Sequence, residues 1–301
     1  MLNGSVEQDK LFSPGDRALV VVSFSVDGIT NVTMIDHDRM GAEALLALLF
    51  AALLILFAGR TGIRAILSFV LTILMLWKVL VPLYLKGFNP ILIGLAITLG
   101  LTILIISLVY GFDRRSLSAV SGASLGVLVT CLLGAAITDL FKIHGAVMQS
   151  SESLLYAGYQ DLNLTRIFMA SIFIGASGAV MDLSVDITSA DNEVVEKRPD
   201  IGWREAVKSG MNVGRAAMGT MTTTLLLAYS GGYVALLMVF MAQGTPVQHI
   251  LNYKYVAAEI IHTVVGSFGL VTVAPFTALT SGWLLTRSVG RTPAVSPEQC
   301  R

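Results

Sequence analysis

Two kinds of hydrophobic patterning divide this chain. From about residue 42 onward, apolar residues come in long runs separated by short polar stretches. The runs cover about 42–59, 62–85, 89–111, 119–141, 167–190, 213–242 and 255–286. A bilayer core of ~30 Å is crossed by about 20 helical residues. Each run is therefore predicted to be a transmembrane helix, seven in all. The last two are longer than a span needs, and Gly231-Gly232 and Pro275 mark places where they can bend or end. Before the first run, PGDRALVVVSFSVDGITNVTMID alternates β-branched and polar residues around a glycine, which reads as one or two strands. Two strands alone are marginal. Residues 1–40 are thus expected to be an external β-like segment, either the last piece of a β-domain or a tail. Between the fifth and sixth runs lies the segment 191–212, DNEVVEKRPDIGWREAVKSGMN. It places Trp203, Ala206 and Val207 on one helical face and Arg204, Glu205 and Lys208 elsewhere, with Asp200 ahead as a cap. That predicts a short amphipathic helix on the inner membrane face, with a plain basic loop as the alternative. The expected class is an all-α polytopic membrane protein.

Composition agrees with lipid as the solvent. Charged residues make up 13% of the 301 residues and mean hydropathy is +0.75, whereas soluble domains carry roughly 25% charged residues. Net charge is zero, so nothing points to nucleic acid as a partner. Two cysteines, Cys131 within an apolar run and Cys300 in the tail, make no disulfide framework. Residues 1–40 are polar and mixed, unlike a secretory leader.

Basic residues set the orientation. With the N-terminus outside, the inner segments hold Arg60, Arg64, Arg114, Arg115, Lys197, Arg198, Arg204, Lys208, Arg215, Arg287, Arg291 and Arg301, twelve in all. The outer side holds seven: Lys10, Arg17, Arg39, Lys86, Lys142, Arg166 and Lys254. The expectation is a bacterial cytoplasmic-membrane protein with its N-terminus outside and residues 287–301 as a cytoplasmic tail. An odd span count with an external N-terminus implies either reverse-anchor insertion of the first helix or a helix upstream of this chain. The long outer segment 142–166 is expected to cover the outer mouth.

Ionisable groups within a bilayer are costly and need partners, water or a function. The fifth span, IFMASIFIGASGAVMDLSVDITSADNEV, carries Asp182 and Asp186 four residues apart and so on one face. Asp182 lies about 22 Å into the helix, toward the inner side. Both are candidates for proton or ion coupling, against a structural pairing with a basic residue. Asp191 reads as a solvated boundary residue. Gly175, Ala176, Gly178 and Ala179, and the Gly219–Thr223 pair on the sixth span, are small enough for close helix packing. Thr220, Thr222, Thr223 and Thr224 offer hydroxyls to a carboxylate or to their own helix. Arg215, at the inner end of that span, reads as a snorkelling anchor. Toward the outside, Glu259 and His262 share a face, and with Lys78 and Asp139 they are candidates to line an outer vestibule leading down to Asp182. Scattered interfacial anchoring is the alternative. No H-E-x-x-H, Walker loop, G-x-S-x-G or Cys/His cluster occurs. Neither an enzyme nor a metal or cofactor site is expected.

The stretches GAVMDLSVDITSA, SGMNVGRAAMGTMTTTLLLAYSGG and NYKYVAAEIIHTVVGSFGLVTVAPFTAL resemble the YibE/F family of multi-pass bacterial membrane proteins, over about residues 15 to 285. That resemblance implies a leading helix and an external β-rich segment ahead of a shared helical core. The last three spans are more weakly similar to SecD and SecF, proton-driven proteins of the RND type. That likeness implies an RND-like bundle whose acidic helix moves protons, here Asp182. A second aspartate and the near absence of an external domain depart from that pattern. The expected function is a proton- or ion-coupled permease or export component. A non-transporting scaffold that assembles with a homologous or identical subunit is the rival.

Overall fold

The computed structural model describes residues 11–25 and 28–289, in two compact units, residues 1–66 and 67–301. In the first unit, strands β1 (Ala18–Ser25) and β2 (Gly28–His37) pair antiparallel from Ala18↔His37 to Ser25↔Gly28. The register slips twice, between Leu19 and Val20 and between Ser23 and Phe24. Val20, Val21, Phe24, Ile29, Val32 and Met34 are all exposed, so this hairpin has no core of its own.

Helix α1 (Met40–Met75) continues through a π-helical turn, Leu76–Leu80, into α2 (Val81–Leu85). Pro82 has no N–H to give to the preceding turn, which is where the winding loosens. Together these 46 residues are far longer than one span requires. Gly59 divides them: its φ of 55° and ψ of −126° are not helical. A side-chain carbon at Gly62 would lie 2.9 Å from the Leu54 carbonyl carbon. Eight residues of straight helix would separate the two by about 12 Å, so the chain bends sharply at Gly59. Among the described residues, six helices are long and apolar enough to cross a membrane, and they accommodate the seven runs because the first is broken in two.

The second unit contains α3 (Pro90–Tyr110), α4 (Arg114–Leu140), the short α5 (Ser151–Tyr156), α6 (Leu164–Lys197), α7 (Trp203–Ser230), α8 (Val234–Ala242), α9 (Val247–Asn252) and α10 (Lys254–Val289). Side-chain caps fix three of the starts: Asn89 accepts from Ile91 N (3.1 Å), Asp113 from Ser116 N and Asn163 from Arg166 N (both 3.0 Å). Gly231–Tyr233 forms a 3-10 turn between α7 and α8, whereas α10 runs on through Pro275.

The segment 191–212 is not a separate amphipathic helix. Its first part ends α6, a turn at 198–202 follows, and Trp203 opens α7, which continues unbroken into the span. The amphipathic pattern was real but belongs to the first turns of a long helix: Ala206 is buried while Arg204, Glu205 and Lys208 are exposed. Of the expected cytoplasmic tail, residues 290–301 lie outside the described residues.

Helix α6 packs against α3, α4, α7 and α10. Contacts also join α3 to α4, α4 to α10 and α10 to α7, whereas α3 and α7 barely meet. Four helices therefore surround α6, leaving one opening between α3 and α7. The core between them is built from Ala123, Val127, Phe173, Leu183, Leu270 and Val273 among others. The tightest seam joins α4 to α10. Ser118, Gly122, Gly126, Thr130, Gly134 and Thr138 recur every four residues along α4 and are all buried, a small-xxx-small stripe that lets backbones approach closely. Across it, Gly122 faces Thr277, Gly126 faces Val273, and Gly269 of α10 faces Thr130. The segment between α4 and α6 packs too, with Ile143 and Val147 buried against Phe168, Ile172 and Ile261.

Candidate functional site

The opening over α6 has an unusual floor. The exposed residues of α6 along it are Gly175, Gly178, Asp182, Asp186, Ser189 and Glu193, and from Leu164 to Lys197 no large hydrophobic side chain is exposed. Outward faces of the neighbouring helices are greasy by contrast: Leu125, Leu128 and Leu132 on α4, Val264, Phe268 and Val271 on α10. Asp182 and Asp186 share this stripe as their spacing requires. They are not buried between helices, however. Among the described residues neither has a hydrogen-bond or ion-pair partner, and each lies within electrostatic reach of the other and of Tyr110.

The threonines of α7 do not serve them. Thr220 donates to Ala217 O (3.0 Å), Thr222 to Met218 O (3.0 Å), Thr223 to Gly219 O (3.3 Å) and Thr224 to Thr220 O (3.0 Å). Such back-bonding satisfies a hydroxyl within its own helix, and Thr220, Thr223 and Thr224 are exposed. Arg215 is exposed and has no ion pair among the described residues. The α6–α7 contact is made by other small residues. Gly175 lies against Tyr229, Gly214 against Ile187 and Ala274, and Gly210 against Asp191, while Gly178 and Gly219 have nothing within 4 Å of a side-chain carbon placed there.

Opposite the opening, α6 and α10 run parallel, joined by polar contacts that sequence reasoning missed. Ser171 meets His262 (2.9 Å), Ser184 accepts from Thr277 (3.1 Å), and Asp191 accepts from Ser281. Helix α4 joins in, Ala119 O accepting from Ser184 (2.6 Å) and Ser118 O from Thr280 (3.2 Å). Asp191 is not a solvated boundary residue. It is 0% exposed, one oxygen is held by Ser281 and the other, Oδ1, has no partner. A carbon added at Gly210 would come within 2.5 Å of Oδ2. Nine residues beyond Asp182, Asp191 falls on the opposite face of the helix, a signal available in the sequence.

The outer candidates separate into two sets. His262 stacks on Phe168 (5.0 Å between centroids) and tilts against Tyr229 (5.6 Å). Ser171 Oγ lies within hydrogen-bond distance of both Phe168 O (2.8 Å) and His262 Nε2 (2.9 Å), and its single proton serves one of the two according to the His262 tautomer. Glu259 lines a pocket of about 210 Å³ with Ser230, Tyr233 and Thr263. Tyr229 OH, Glu259 Oε1 and Thr263 Oγ1 are buried without hydrogen-bond partners among the described residues. Tyr229 ties this cluster to the opening, because its hydroxyl sits over Gly175. Lys78 and Asp139 stand apart: both are exposed, and Lys78 lies over its neighbour Trp77. Among the described residues neither joins Glu259 or His262 through a hydrogen bond or ion pair. Among the described residues no three His, Cys, Asp or Glu side chains converge.

A family model described as YibE/F-like protein matches residues 46–287, most of the chain. The chain belongs to the YibE/F family. That match takes in every candidate named above, from Lys78 to His262. No curated protein and no solved structure matches the chain.

Proposed function

We propose that this YibE/F-family protein is a proton- or ion-coupled permease or export component of the bacterial cytoplasmic membrane. Asp182, with Asp186 beside it, takes up and releases the coupling ion within the opening over α6. One observation carries this reading: two carboxylates stand unpaired on the open, glycine-floored stripe of the central helix. A structural carboxylate at that depth calls for a cation or a set of donors, and the described residues supply neither. The cluster of Glu259, His262, Ser171 and Tyr229 is the entry end, because the Tyr229 hydroxyl over Gly175 links its polar side chains to the opening. Gly175 and Gly178 separate it from Asp182. The weaker likeness of the last three spans to SecD and SecF points the same way. The rival reading, a non-transporting scaffold, draws on the same face, because an assembly partner laid over it would neutralise the charges.

A membrane-soluble carbodiimide such as dicyclohexylcarbodiimide tests the site, since it reacts with carboxylic acids in their protonated form. In native membranes the adduct is expected on Asp182 or Asp186 and not on the enclosed Asp191, and raising the pH is expected to suppress it. Labelling of Asp191 with the open stripe untouched would contradict the proposal.

Orientation follows from the basic residues, with the N-terminus outside. Phe112, just before α4, and Tyr156, at the end of α5 in the segment that follows α4, are 93% and 90% exposed. A membrane-impermeant thiol reagent is expected to reach Tyr156→Cys from outside and Phe112→Cys only after the membrane is opened. The reverse pattern would invert the topology.

A further inference from the structure

The polar stripe of α6 continues onto its neighbour. From Arg204 to Thr224, helix α7 exposes no large hydrophobic side chain; it presents Lys208, Asn212, Arg215, Ala216, Gly219 and Thr223 instead. Two adjacent helices therefore turn toward the bilayer a face that lipid does not accept. Its charges are sorted by helix. Elsewhere at this end ions pair within the chain: Arg115 with Glu196, Lys197 with Glu193 (2.5 Å) and Arg198 with Glu205 (2.9 Å). On the exposed face that α6 and α7 share, the charges without an ion pair among the described residues are the anions Asp182 and Asp186 on α6 and the cations Arg204, Lys208 and Arg215 on α7.

We propose that a second copy of this chain covers the α6–α7 face, each copy's Asp186 meeting the other's α7 cation at the same height while Asp182 stays without an ion pair. A surface carrying anions on one helix and cations on the antiparallel one beside it is complementary to itself, which is what a two-fold contact requires. Heights match as well. The contacts Ile187–Gly214 and Asp191–Gly210 place Asp186 level with Arg215 and Asp182 level with Gly219. A two-fold axis along the membrane normal preserves height, so Asp186 meets Arg215 of the partner subunit. Gly178, Ala216 and Gly219 leave room for backbones to approach. The stripe of α6 then lines the interior of the dimer instead of facing lipid. This goes beyond ion coupling and holds equally for a scaffold.

Native mass spectrometry from lipid nanodiscs tests it. The wild type is expected as a dimer. Gly219→Trp fills space that is open within one copy, so the protein is expected to become monomeric with its helix content and thermal midpoint intact. Asp186→Arg and Arg215→Asp are each expected to reduce the dimer, and the two together to restore it. A monomeric wild type, a Gly219→Trp dimer, or a double variant no better than the single ones would overturn the proposal. So would a monomer that co-purifies with a different membrane protein in place of its copy. None of these outcomes bears on flux, so failure here and failure of ion coupling remain distinguishable.

Discussion

Gly126→Leu is expected to lower the thermal midpoint of the detergent-solubilised monomer sharply, while Gly178→Leu leaves it nearly unchanged. Both glycines sit in long spans of small residues, and sequence alone favours Gly178 as the packed one. Their surroundings are opposite. A first side-chain carbon at Gly126 would already lie 2.9 Å from Val273 Cβ and 3.0 Å from Val180 Cγ1. Leucine adds three more carbons to a seam where α4, α6 and α10 meet and where Val180 and Val273 are fully enclosed. Overpacking of this kind typically costs ~1–3 kcal/mol and occasionally more. The higher end is expected here, because the stripe continues at Gly122, where a carbon would meet the Thr277 backbone at 2.8 Å. Helix separation at one position would thus loosen the Ser118–Thr280 and Ser184–Thr277 bonds too. Gly178 has nothing within 4 Å. Equal midpoints for the two variants would mean that α4 and α10 do not meet through this stripe.

Much of the architecture follows from one-dimensional pattern. Unbroken apolar runs locate every long helix, and the alternation of residues 18–37 gives the two strands, because bilayer thickness and backbone pleat each impose a fixed period. Burial within the bundle is harder to read. In lipid the outward face is as apolar as the inward one, so hydrophobic pattern does not say which face packs. Small residues do, but only with their register: Gly122, Gly126 and Gly134 mark a seam, whereas the equally suggestive Gly178 and Gly219 lie in the open. Carboxylates suffer the same ambiguity. Asp182 and Asp186 are correctly placed on one face, yet that face is exposed. Asp191, close to the helix end and seemingly wet, is enclosed because Gly210 and Ser281 close over it. Such tertiary partners, 19 and 90 residues away, leave no periodic trace. The Thr220–Thr224 hydroxyls were legible as polar groups but not as self-satisfied ones, since back-bonding to the preceding turn competes with any partner across the bundle.

The ion-coupling reading and an ion-pair reading of Asp182 make opposite demands on one substitution. Removing one partner of a buried pair is strongly destabilising, ~3–5 kcal/mol. Asp182 has no such partner among the described residues, so Asp182→Asn is expected to fold and express like the wild type. Asparagine keeps the shape of the side chain and removes its capacity to carry a proton. The decisive measurement is proton flux down a pH gradient into liposomes that hold a trapped pH-sensitive dye, with both proteins reconstituted at equal density and equal monodispersity. The wild type is expected to conduct protons faster than protein-free liposomes, and Asp182→Asn to fall to their level. A folded Asp182→Asn protein that conducts as fast as the wild type would contradict ion coupling at this carboxylate.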